Sequence, residues 1–276
     1  MLRKTEKFFV LQSAFITFVV MYSIKKMEIE KLYALFLSSK GVTTDTRTCA
    51  DGLIFFALKG ERFNGNSFAL QALEKGCSYA VIDEAEYYDS TNSQLILVDN
   101  VLLTLQALAR YHREQLGTPV IGITGTNGKT TTKELIATVM NSKYNTHYTK
   151  GNLNNSIGVP LTLLQLKPEH EYAIIEMGAS HPGDIEELVN ICLPNYGLIT
   201  NVGKAHLLGF GSFEGVIKTK GELYDFIRSN GGHIFINGNN SYLLNIADSI
   251  ENTRYGVDSS MYVNGHVVEC APHLKM

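Results

Sequence analysis

The sequence has few cysteines, few prolines and no large excess of charge of either sign. Its four cysteines are spread over 276 residues, and no two of them form a C-x-x-C pair. This spacing indicates reduced thiols rather than a zinc site or a disulfide scaffold. The 24 basic and 27 acidic residues give a net charge of −3, which argues against nucleic acid as a partner.

Internal repeats and low-complexity segments are also absent from the sequence. Hydrophobic residues make up 45% of the chain, beside 24 glycines and 6 prolines. This balance is typical of globular proteins and excludes a disordered or collagen-like chain. The length is sufficient for two domains of about 100–200 residues each.

One long hydrophobic run, from Phe8 to Ile24, has basic residues on both sides. It is short for the roughly 20 residues that cross a bilayer, and no small-x-small cleavage site follows it. Residues 1–26 are therefore a membrane anchor, a secretory signal or translated upstream sequence before a true start at Met27. Apart from this leader, nothing predicts a membrane protein, and we expect a cytoplasmic monomer.

From Met27 onward, short apolar strands alternate with helices, which predicts an α/β protein. The helical pattern stops at Leu116–Pro119, so we expect a small mixed α/β domain over 27–116 and a parallel-sheet domain over 117–276. The strands predicted in the first domain are Leu53–Leu58, Tyr79–Ile82 and Leu95–Val98, and its helices are Ser67–Lys75 and Val101–Gln115. The strands predicted in the second domain are Val120–Thr124, Tyr172–Met177, Gly197–Asn201 and His233–Asn237, and its helices are Lys129–Asn141, Pro182–Val189, Phe213–Ile227 and Tyr242–Ala247.

The strongest local motif is GITGTNGKTT, which runs from Gly122 to Thr131 between a predicted strand and a predicted helix. Glycines let backbone N–H groups surround phosphate oxygens, and a helix N-terminus adds positive potential. Lys129 can reach the β- and γ-phosphates of a nucleotide, and the Thr130 hydroxyl can bind Mg²⁺. The general pattern G-x-x-x-x-G-K-[ST] requires glycine where this chain has Ile123, so the match to that pattern is incomplete.

Other polar residues lie where predicted strands or loops end. Glu176 closes an apolar strand and offers an oxygen ligand for Mg²⁺, or it is simply solvated. His206 is a ligand or a structural loop histidine, and Lys220 lies on a helix face with acidic neighbours, where a solvated surface is the ordinary interpretation. An amide-rich loop binds sugar hydroxyls or phosphates, or it caps a helix; its members are Asn152, Asn154 and Asn155.

Taken together, these segments resemble the Mur ligase family, the ATP-dependent amide-forming enzymes of peptidoglycan synthesis. That family's loop has the form G-x-x-G-T-N-G-K-T-[ST], which accounts for Ile123. Further matching segments are Thr44–Arg47, Phe56–Gly65, Asn152–Pro160, Glu176–Ile185, Asn201–His206 and Leu208–Ser212. Within the family, the match is closest to the enzymes that join D-alanyl-D-alanine to UDP-N-acetylmuramoyl-tripeptide, and it runs from about Met27 to Tyr255.

The resemblance implies a role for each matching residue. The ATP-binding residues would be Gly125, Thr126, Asn127, Gly128, Lys129, Thr130, Thr131 and, near the adenine, Asn237. Two Mg²⁺ ions would be held by Thr130, Glu176, His206 and Lys220, the last as a carbamylated lysine. The catalytic residues would be Lys129, His206 and Lys220. The uridine substrate would contact Thr44, Asp45, Thr46, Arg47, Lys59, Asn64 and Gly65, and its sugar-phosphate region would contact Asn152, Asn154 and Asn155.

The implied reaction has two steps, an acyl phosphate formed from ATP and its capture by the amine of D-alanyl-D-alanine. Members of the family end in a third, Rossmann-like domain of roughly 130–150 residues, to which nothing in this sequence corresponds. We therefore expect a fragment that is inactive alone. The alternatives are a sister ligase acting with another amino acid, on folate or on cyanophycin, a non-catalytic remnant that binds nucleotide or UDP-sugar, and a membrane-tethered ATPase.

Overall fold

The computed structural model describes residues 28–203 and 207–268. The described residues divide into two compact units, with the boundary between Tyr111 and His112. The leader over residues 1–26 lies outside the described residues. Within the described ranges, no helix is both long and apolar enough to cross a membrane.

The first unit is built on a four-stranded parallel sheet. In chain order, its elements are α1 (28–38), β1 (Val42–Thr43), β2 (Ile54–Phe56), β3 (Lys59–Gly60), β4 (Phe63–Asn64), α2 (Ala69–Glu74), β5 (Tyr79–Ile82), β6 (Leu95–Leu97) and α3 (Val101–Leu116). The sheet order is β1-β2-β5-β6, while β3 and β4 form a separate antiparallel hairpin. All three residues of β2 are buried, as expected for a parallel strand that is covered on both faces.

The second unit contains a seven-stranded parallel sheet. Its elements are β7 (Val120–Thr124), α4 (Lys129–Met140), β8 (Thr146–Tyr148), α5 (Gly158–Leu163), β9 (Tyr172–Glu176), α6 (Asp184–Cys192), β10 (Tyr196–Ile199), α7 (Leu207–Phe210), α8 (Phe213–Ser229), β11 (His233–Asn237), α9 (Ser241–Ile246), β12 (Glu251–Gly256) and β13 (Val263–Asn264). The strand order is β13-β12-β11-β10-β7-β9-β8. The strands that follow β7 lie on both sides of it, with β8 and β9 on one side and β10 to β13 on the other, so a crevice opens at the carboxyl end of β7.

The α/β fold with parallel sheets that the sequence predicts is confirmed. Some element bounds differ from the prediction. The predicted helix Ser67–Lys75 is a 3₁₀ turn over Gly65–Phe68 followed by α2, because the Asn64 side chain accepts a hydrogen bond from the Asn66 N–H and holds the turn. The boundary between the units falls inside α3.

Candidate functional site

The loop between β7 and α4 has the backbone of a phosphate-binding loop. Gly125 has a φ of +144° and Gly128 a φ of +76°, conformations that side chains with a Cβ rarely adopt. A Cβ on Gly125 would also collide with the Thr200 hydroxyl, whereas one on Gly128 would meet nothing within 4 Å. The loop therefore requires glycine at 125 for space as well as for φ.

The segment that follows β10 supports this loop through paired hydrogen bonds. The Thr126 N–H donates to the Asn201 carbonyl at 3.0 Å, and the Asn127 N–H donates to Asn201 Oδ1 at 3.1 Å. The Asn127 carbonyl accepts in turn from Asn201 Nδ2 and from Thr200 Oγ1. Sequence reasoning assigned Asn201 no role. The signal available was its position at the end of the predicted strand Gly197–Asn201.

Lys129, the first residue of α4, folds back over the loop. Its Nζ donates to the carbonyls of Gly125 at 2.8 Å and Thr126 at 3.1 Å. Burial lowers the pKa of Lys129, and the nearby Glu176 carboxylate opposes that shift. The ammonium is thus already held against the loop where phosphates would lie.

Glu176 ends β9 beside this loop and is 1% exposed. Its Oε1 accepts hydrogen bonds from Thr130 Oγ1 at 3.1 Å and from Asn154 Nδ2 at 2.9 Å. Its Oε2 is buried and accepts no hydrogen bond from the described residues, although Lys133 Nζ lies 3.7 Å away. The structure therefore brings two of the predicted metal ligands, Thr130 and Glu176, into contact.

The pair of oxygens from Thr130 and Glu176 fits a Mg²⁺ ion. Neighbouring ligands of an octahedral Mg²⁺ lie about 3 Å apart, since each Mg–O bond is about 2.0–2.1 Å, and these two oxygens are 3.1 Å apart. No group of three or more His, Cys, Asp or Glu side chains could hold a metal within the described ranges. In the usual Mg²⁺ site, one or two protein ligands are joined by substrate phosphates and water. His206, another predicted ligand, lies outside the described residues.

Lys220 is buried in α8, with its residue 3% exposed. Its Nζ lies 5.3 Å from the centre of the Phe210 ring. Burial, followed by the charge of Lys129, lowers the pKa of Lys220 to about 8, while Asp184 and Glu222 oppose the shift. An amine with this pKa is partly neutral at physiological pH and can react as a nucleophile.

A cleft of about 450 Å³ opens beside Lys129, and Asn154, Asn155, Ser180 and Asp184 are among the residues that line it. The Asp184 carboxylate accepts hydrogen bonds from the backbone N–H groups of Ser180 at 2.7 Å and His181 at 2.9 Å. These bonds hold one wall of the cleft in place.

The Glu222 carboxylate of α8 holds the helix that carries Asp184. It accepts hydrogen bonds from the N–H groups of Gly183 and Glu186 at the start of α6, each at 2.9 Å. Burial raises the pKa of Glu222. The helix that carries Lys220 is therefore tied directly to the wall of the cleft.

The predicted amide loop divides into separate roles. Asn154 binds Glu176, as described above, while Asn155 Oδ1 accepts from the Gly158 N–H at 2.8 Å at the start of α5. Asn152 is exposed.

Two further residues predicted to bind ATP lie elsewhere in the second unit. Thr131 is exposed on the first turn of α4, and Asn237, at the end of β11, accepts a hydrogen bond from the Asn239 N–H.

In the first unit, the residues predicted to bind uridine follow the carboxyl ends of neighbouring strands. Thr44 and Thr46 come after β1, where Lys75 Nζ donates to the Thr46 carbonyl at 2.9 Å. The Asp45 carboxylate binds the guanidinium of Arg47 at 2.6 Å, and this contact lowers the pKa of Asp45 to about 2. The Arg47 side chain is 87% exposed, so most of its guanidinium faces solvent.

Lys59 and Asn64 follow β2 and meet two acidic residues that follow β5. Lys59 forms an ion pair with Glu84 and lies 3.6 Å from Asp83, and Asn64 Nδ2 donates to Glu84. The buried Asn66 joins this cluster through a hydrogen bond to Asp83 at 2.9 Å. Sequence reasoning missed Asn66, Asp83 and Glu84, although Asp83 and Glu84 directly follow the predicted strand Tyr79–Ile82. Gly65 lies between Asn64 and Asn66, where a Cβ would collide with the Leu58 carbonyl oxygen.

The chain is similar to known proteins over most of its length. The chain matches the Mur ligase family catalytic domain over residues 38–113 and the Mur ligase middle domain over residues 123–267. It is 42% identical over 216 residues to the UDP-N-acetylmuramoyl-tripeptide–D-alanyl-D-alanine ligase of Bacillus subtilis, covering 78% of this chain and 47% of the relative. The corresponding Escherichia coli ligase is 45% identical, with 73% and 44% covered.

Solved structures give the same result. MurF from Acinetobacter baumannii has a TM-score of 0.72 at 34% identity, with 80% of this chain and 52% of that one covered. MurF ligase from Thermotoga maritima, in complex with ADP, has a TM-score of 0.73 at 30% identity, with 80% and 51% covered. The chain spans about half the length of the curated relatives it matches. The resemblance seen in the sequence is thus confirmed, and the chain belongs to the Mur ligase family.

Proposed function

We propose that this chain is the nucleotide- and uridine-substrate-binding part of an ATP-dependent ligase that adds D-alanyl-D-alanine to UDP-N-acetylmuramoyl-tripeptide. The observation that carries the proposal is the contact of Thr130 with Glu176 beside the Lys129 loop, at the carboxyl end of β7. Relatives that are 42% and 45% identical bear the name of this activity. One solved relative is described with ADP.

The phosphate loop and Lys129 would bind the ATP phosphates. The Lys129 ammonium would exchange the carbonyls of Gly125 and Thr126 for phosphate oxygens, and the N–H groups at the start of α4 would add positive potential. Thr130 and Glu176 would hold Mg²⁺, with His206 as the family's further ligand. The bound metal would neutralise charge between the two anions that must meet, the nucleotide and the substrate carboxylate.

A carboxylate is a poor electrophile, so it must be activated before it can form an amide in water. A carboxylate oxygen of the tripeptide would attack the γ-phosphorus of ATP, and the bond to the β-phosphate oxygen would break to release ADP. The amine of the dipeptide would then attack the acyl carbon, and phosphate would leave. Lys129 would stabilise the negative charge that builds on the transferred phosphoryl group.

Lys220 would serve as a carbamate. Its neutral amine would add to CO₂ and lose a proton, which turns a cation into an anionic oxygen ligand. The burial of Lys220 and its pKa of about 8 support this proposal, since a neutral amine is what the addition requires. The residues of the first unit, Asp45 and Arg47 among them, would bind the uridine end of the substrate.

The test is a calorimetric titration of the 276-residue chain with UDP-N-acetylmuramoyl-tripeptide, UMP, and ADP with and without Mg²⁺. We expect saturable binding of the tripeptide substrate, weaker binding of UMP, and ADP binding that Mg²⁺ strengthens. Lys129→Ala is the matched control, since it should weaken ADP binding and leave the UMP titration unchanged. Binding of ADP without any binding of the tripeptide substrate would contradict the assigned substrate, and absence of ADP binding would contradict the ligase proposal as a whole.

A further inference from the structure

Lys133 is a buried charge to which sequence reasoning gave no role. It lies in α4, one turn after the phosphate loop, and its side chain is 0% exposed. Its Nζ donates to the Thr149 carbonyl at 2.6 Å and lies 3.0 Å from Glu134 Oε1 and 3.7 Å from Glu176 Oε2. A buried ammonium is costly unless hydrogen bonds and an opposite charge compensate it, and both are present here.

Thr130 and Lys133 stand three positions apart on α4, a spacing that places two side chains on the same face of a helix. The two residues contact the two different oxygens of one carboxylate. Thr130 Oγ1 donates to Glu176 Oε1, while the Lys133 ammonium faces Oε2. One helix face therefore holds both oxygens of the Glu176 carboxylate.

Thr149 connects the same groups from the side of the sheet. Its carbonyl accepts from Lys133, and its Oγ1 accepts from the backbone N–H of Glu176 at 3.0 Å. Lys133 thus reaches Glu176 both through its charge and through the residue that hydrogen-bonds the Glu176 backbone. An apolar side chain at position 133 could fill the space but could make neither contact.

We propose that Lys133 is a positioning residue for the metal site. Its ammonium holds Oε2 of Glu176 toward the interior, so that Oε1 stays beside the Thr130 hydroxyl, where the two oxygens can bind one Mg²⁺ together. This inference rests on the proposed function, in which Thr130 and Glu176 hold the metal of a bound nucleotide. It adds a residue behind the ligands that sets their geometry before metal and nucleotide arrive.

The experiment measures ADP affinity with and without Mg²⁺ by calorimetry, for the original chain, Lys133→Met and Lys133→Arg. Glu134→Gln is the matched control, because it removes the charge of a carboxylate that pairs with Lys133 and leaves the contacts to Thr149 and Glu176. The Mg²⁺ enhancement is the Kd for ADP without Mg²⁺ divided by the Kd with Mg²⁺. It reports how strongly the metal and the nucleotide favour each other's binding. Mn²⁺ affinity in the presence of ADP, from electron paramagnetic resonance, is the second readout.

In Lys133→Met we expect the Kd for ADP alone to stay within about threefold, since the phosphate loop is intact. The Mg²⁺ enhancement should fall about 10-fold or more, the usual effect of losing a group that orients a metal ligand. Mn²⁺ should bind correspondingly more weakly. Lys133→Arg keeps the positive charge and should recover part of the enhancement, and Glu134→Gln should leave it unchanged.

An unchanged Mg²⁺ enhancement in Lys133→Met would overturn the inference, because the metal site would then not need Lys133. A larger enhancement would also overturn it, because it would mean that Lys133 competes with the metal. An equal loss of ADP affinity with and without Mg²⁺ would also overturn it and indicate a role in folding alone. If Lys133→Met does not fold, Lys133→Gln decides the matter by the same ratio, since its amide can still donate to Thr149 but carries no charge. An original chain that binds ADP with no Mg²⁺ enhancement would instead overturn the proposed metal site itself.

Discussion

The Thr130 hydroxyl donates to the Glu176 carboxylate across 3.1 Å, although 46 positions separate the two residues in the chain. The register of the sheet explains this contact. Strand β9 pairs with β7 so that Glu176 lies beside Ile123, and Thr130 follows β7 on the first turn of α4. A carboxylate at the end of β9 must therefore face the phosphate loop.

The first prediction concerns this hydroxyl. Thr130→Val keeps the shape of the side chain and removes the oxygen, so we expect the Mg²⁺ enhancement of ADP binding to fall about 10-fold or more, as for loss of a metal ligand. Thr130→Ser retains the hydroxyl and serves as the control, with an enhancement close to that of the original chain. Calorimetry with and without Mg²⁺ measures both variants, and a Thr130→Val chain that keeps its enhancement would show that the hydroxyl does not bind the metal.

Sequence reasoning identified the phosphate loop because its residues are contiguous and each has a local task. Lys133 and Asn201 could not be found in the same way. The partners of Lys133 include Thr149, which follows β8, and Glu176, which ends β9. On a helical pattern alone, Lys133 is indistinguishable from a solvated lysine. Asn201 supports the loop only because β10 and β7 are neighbours in the sheet, and a sequence does not display which strands are neighbours.

The buried strands were predictable for a related physical reason. Strand β9 is apolar up to its last residue, Glu176, because helices cover both faces of a parallel sheet. Strand β8 at one edge of the sheet reads Thr-His-Tyr, and β12 reads Glu-Asn-Thr-Arg-Tyr-Gly. Neither has a hydrophobic pattern that distinguishes it from a loop, and sequence reasoning predicted neither. Only backbone pairing with their neighbours makes them strands.

The second prediction is that Gly65→Ala destabilises the first unit. A Cβ at this position would lie 2.6 Å from the Ala57 carbonyl carbon and closer still to the Leu58 oxygen. Backbone atoms cannot yield as a flexible side chain would, so we expect a loss of about 2–3 kcal/mol in the free energy of unfolding. Urea denaturation followed by circular dichroism measures it, since the chain contains no tryptophan.

Gly117→Ala is the control for this substitution. Gly117 has a φ of +66°, and nothing lies within 4 Å of its Cβ position, so only backbone strain of about 1–2 kcal/mol should result. A Gly65→Ala chain no less stable than the Gly117→Ala chain would show that the segment around Gly65 can move away from the backbone of Ala57 and Leu58.

The third prediction separates binding from stability at Arg47. Its ion pair with Asp45 is exposed, and such pairs add little to stability, so Arg47→Ala should leave the unfolding midpoint unchanged. The exposed guanidinium can bind a substrate phosphate beside its pair with Asp45, and its loss should weaken binding of UDP-N-acetylmuramoyl-tripeptide about 10-fold, as for a charge-assisted hydrogen bond. Lys40→Ala, which breaks a comparably exposed pair with Asp51, should change neither quantity. Equal binding by the Arg47→Ala and Lys40→Ala variants would remove Arg47 from the proposed site.

The fourth prediction is that Lys220→Met stabilises the folded chain at pH 7. Folding lowers the pKa of Lys220 from 10.5 to about 8, so between these values the unfolded chain binds more protons and stability rises with pH. Below pH 8 the folded chain keeps the Lys220 ammonium buried, at a cost in free energy that the apolar variant avoids. We therefore expect the free energy of unfolding of Lys220→Met to be larger by about 1–3 kcal/mol. This gain should shrink as the pH rises toward 10.5, where the lysine is neutral in both states.

Thermal and urea unfolding in CO₂-free buffer from pH 7 to pH 10 measure this difference, because CO₂ could convert the free amine into a carbamate. Lys218→Met, on the exposed face of the same helix, is the control and should show no such dependence on pH. A Lys220→Met chain that is less stable than the original at pH 7 would mean that the ammonium has a partner that compensates its burial. In that case the neutral amine needed for carbamylation would not be available, and Lys220 would lose its proposed role as a metal ligand.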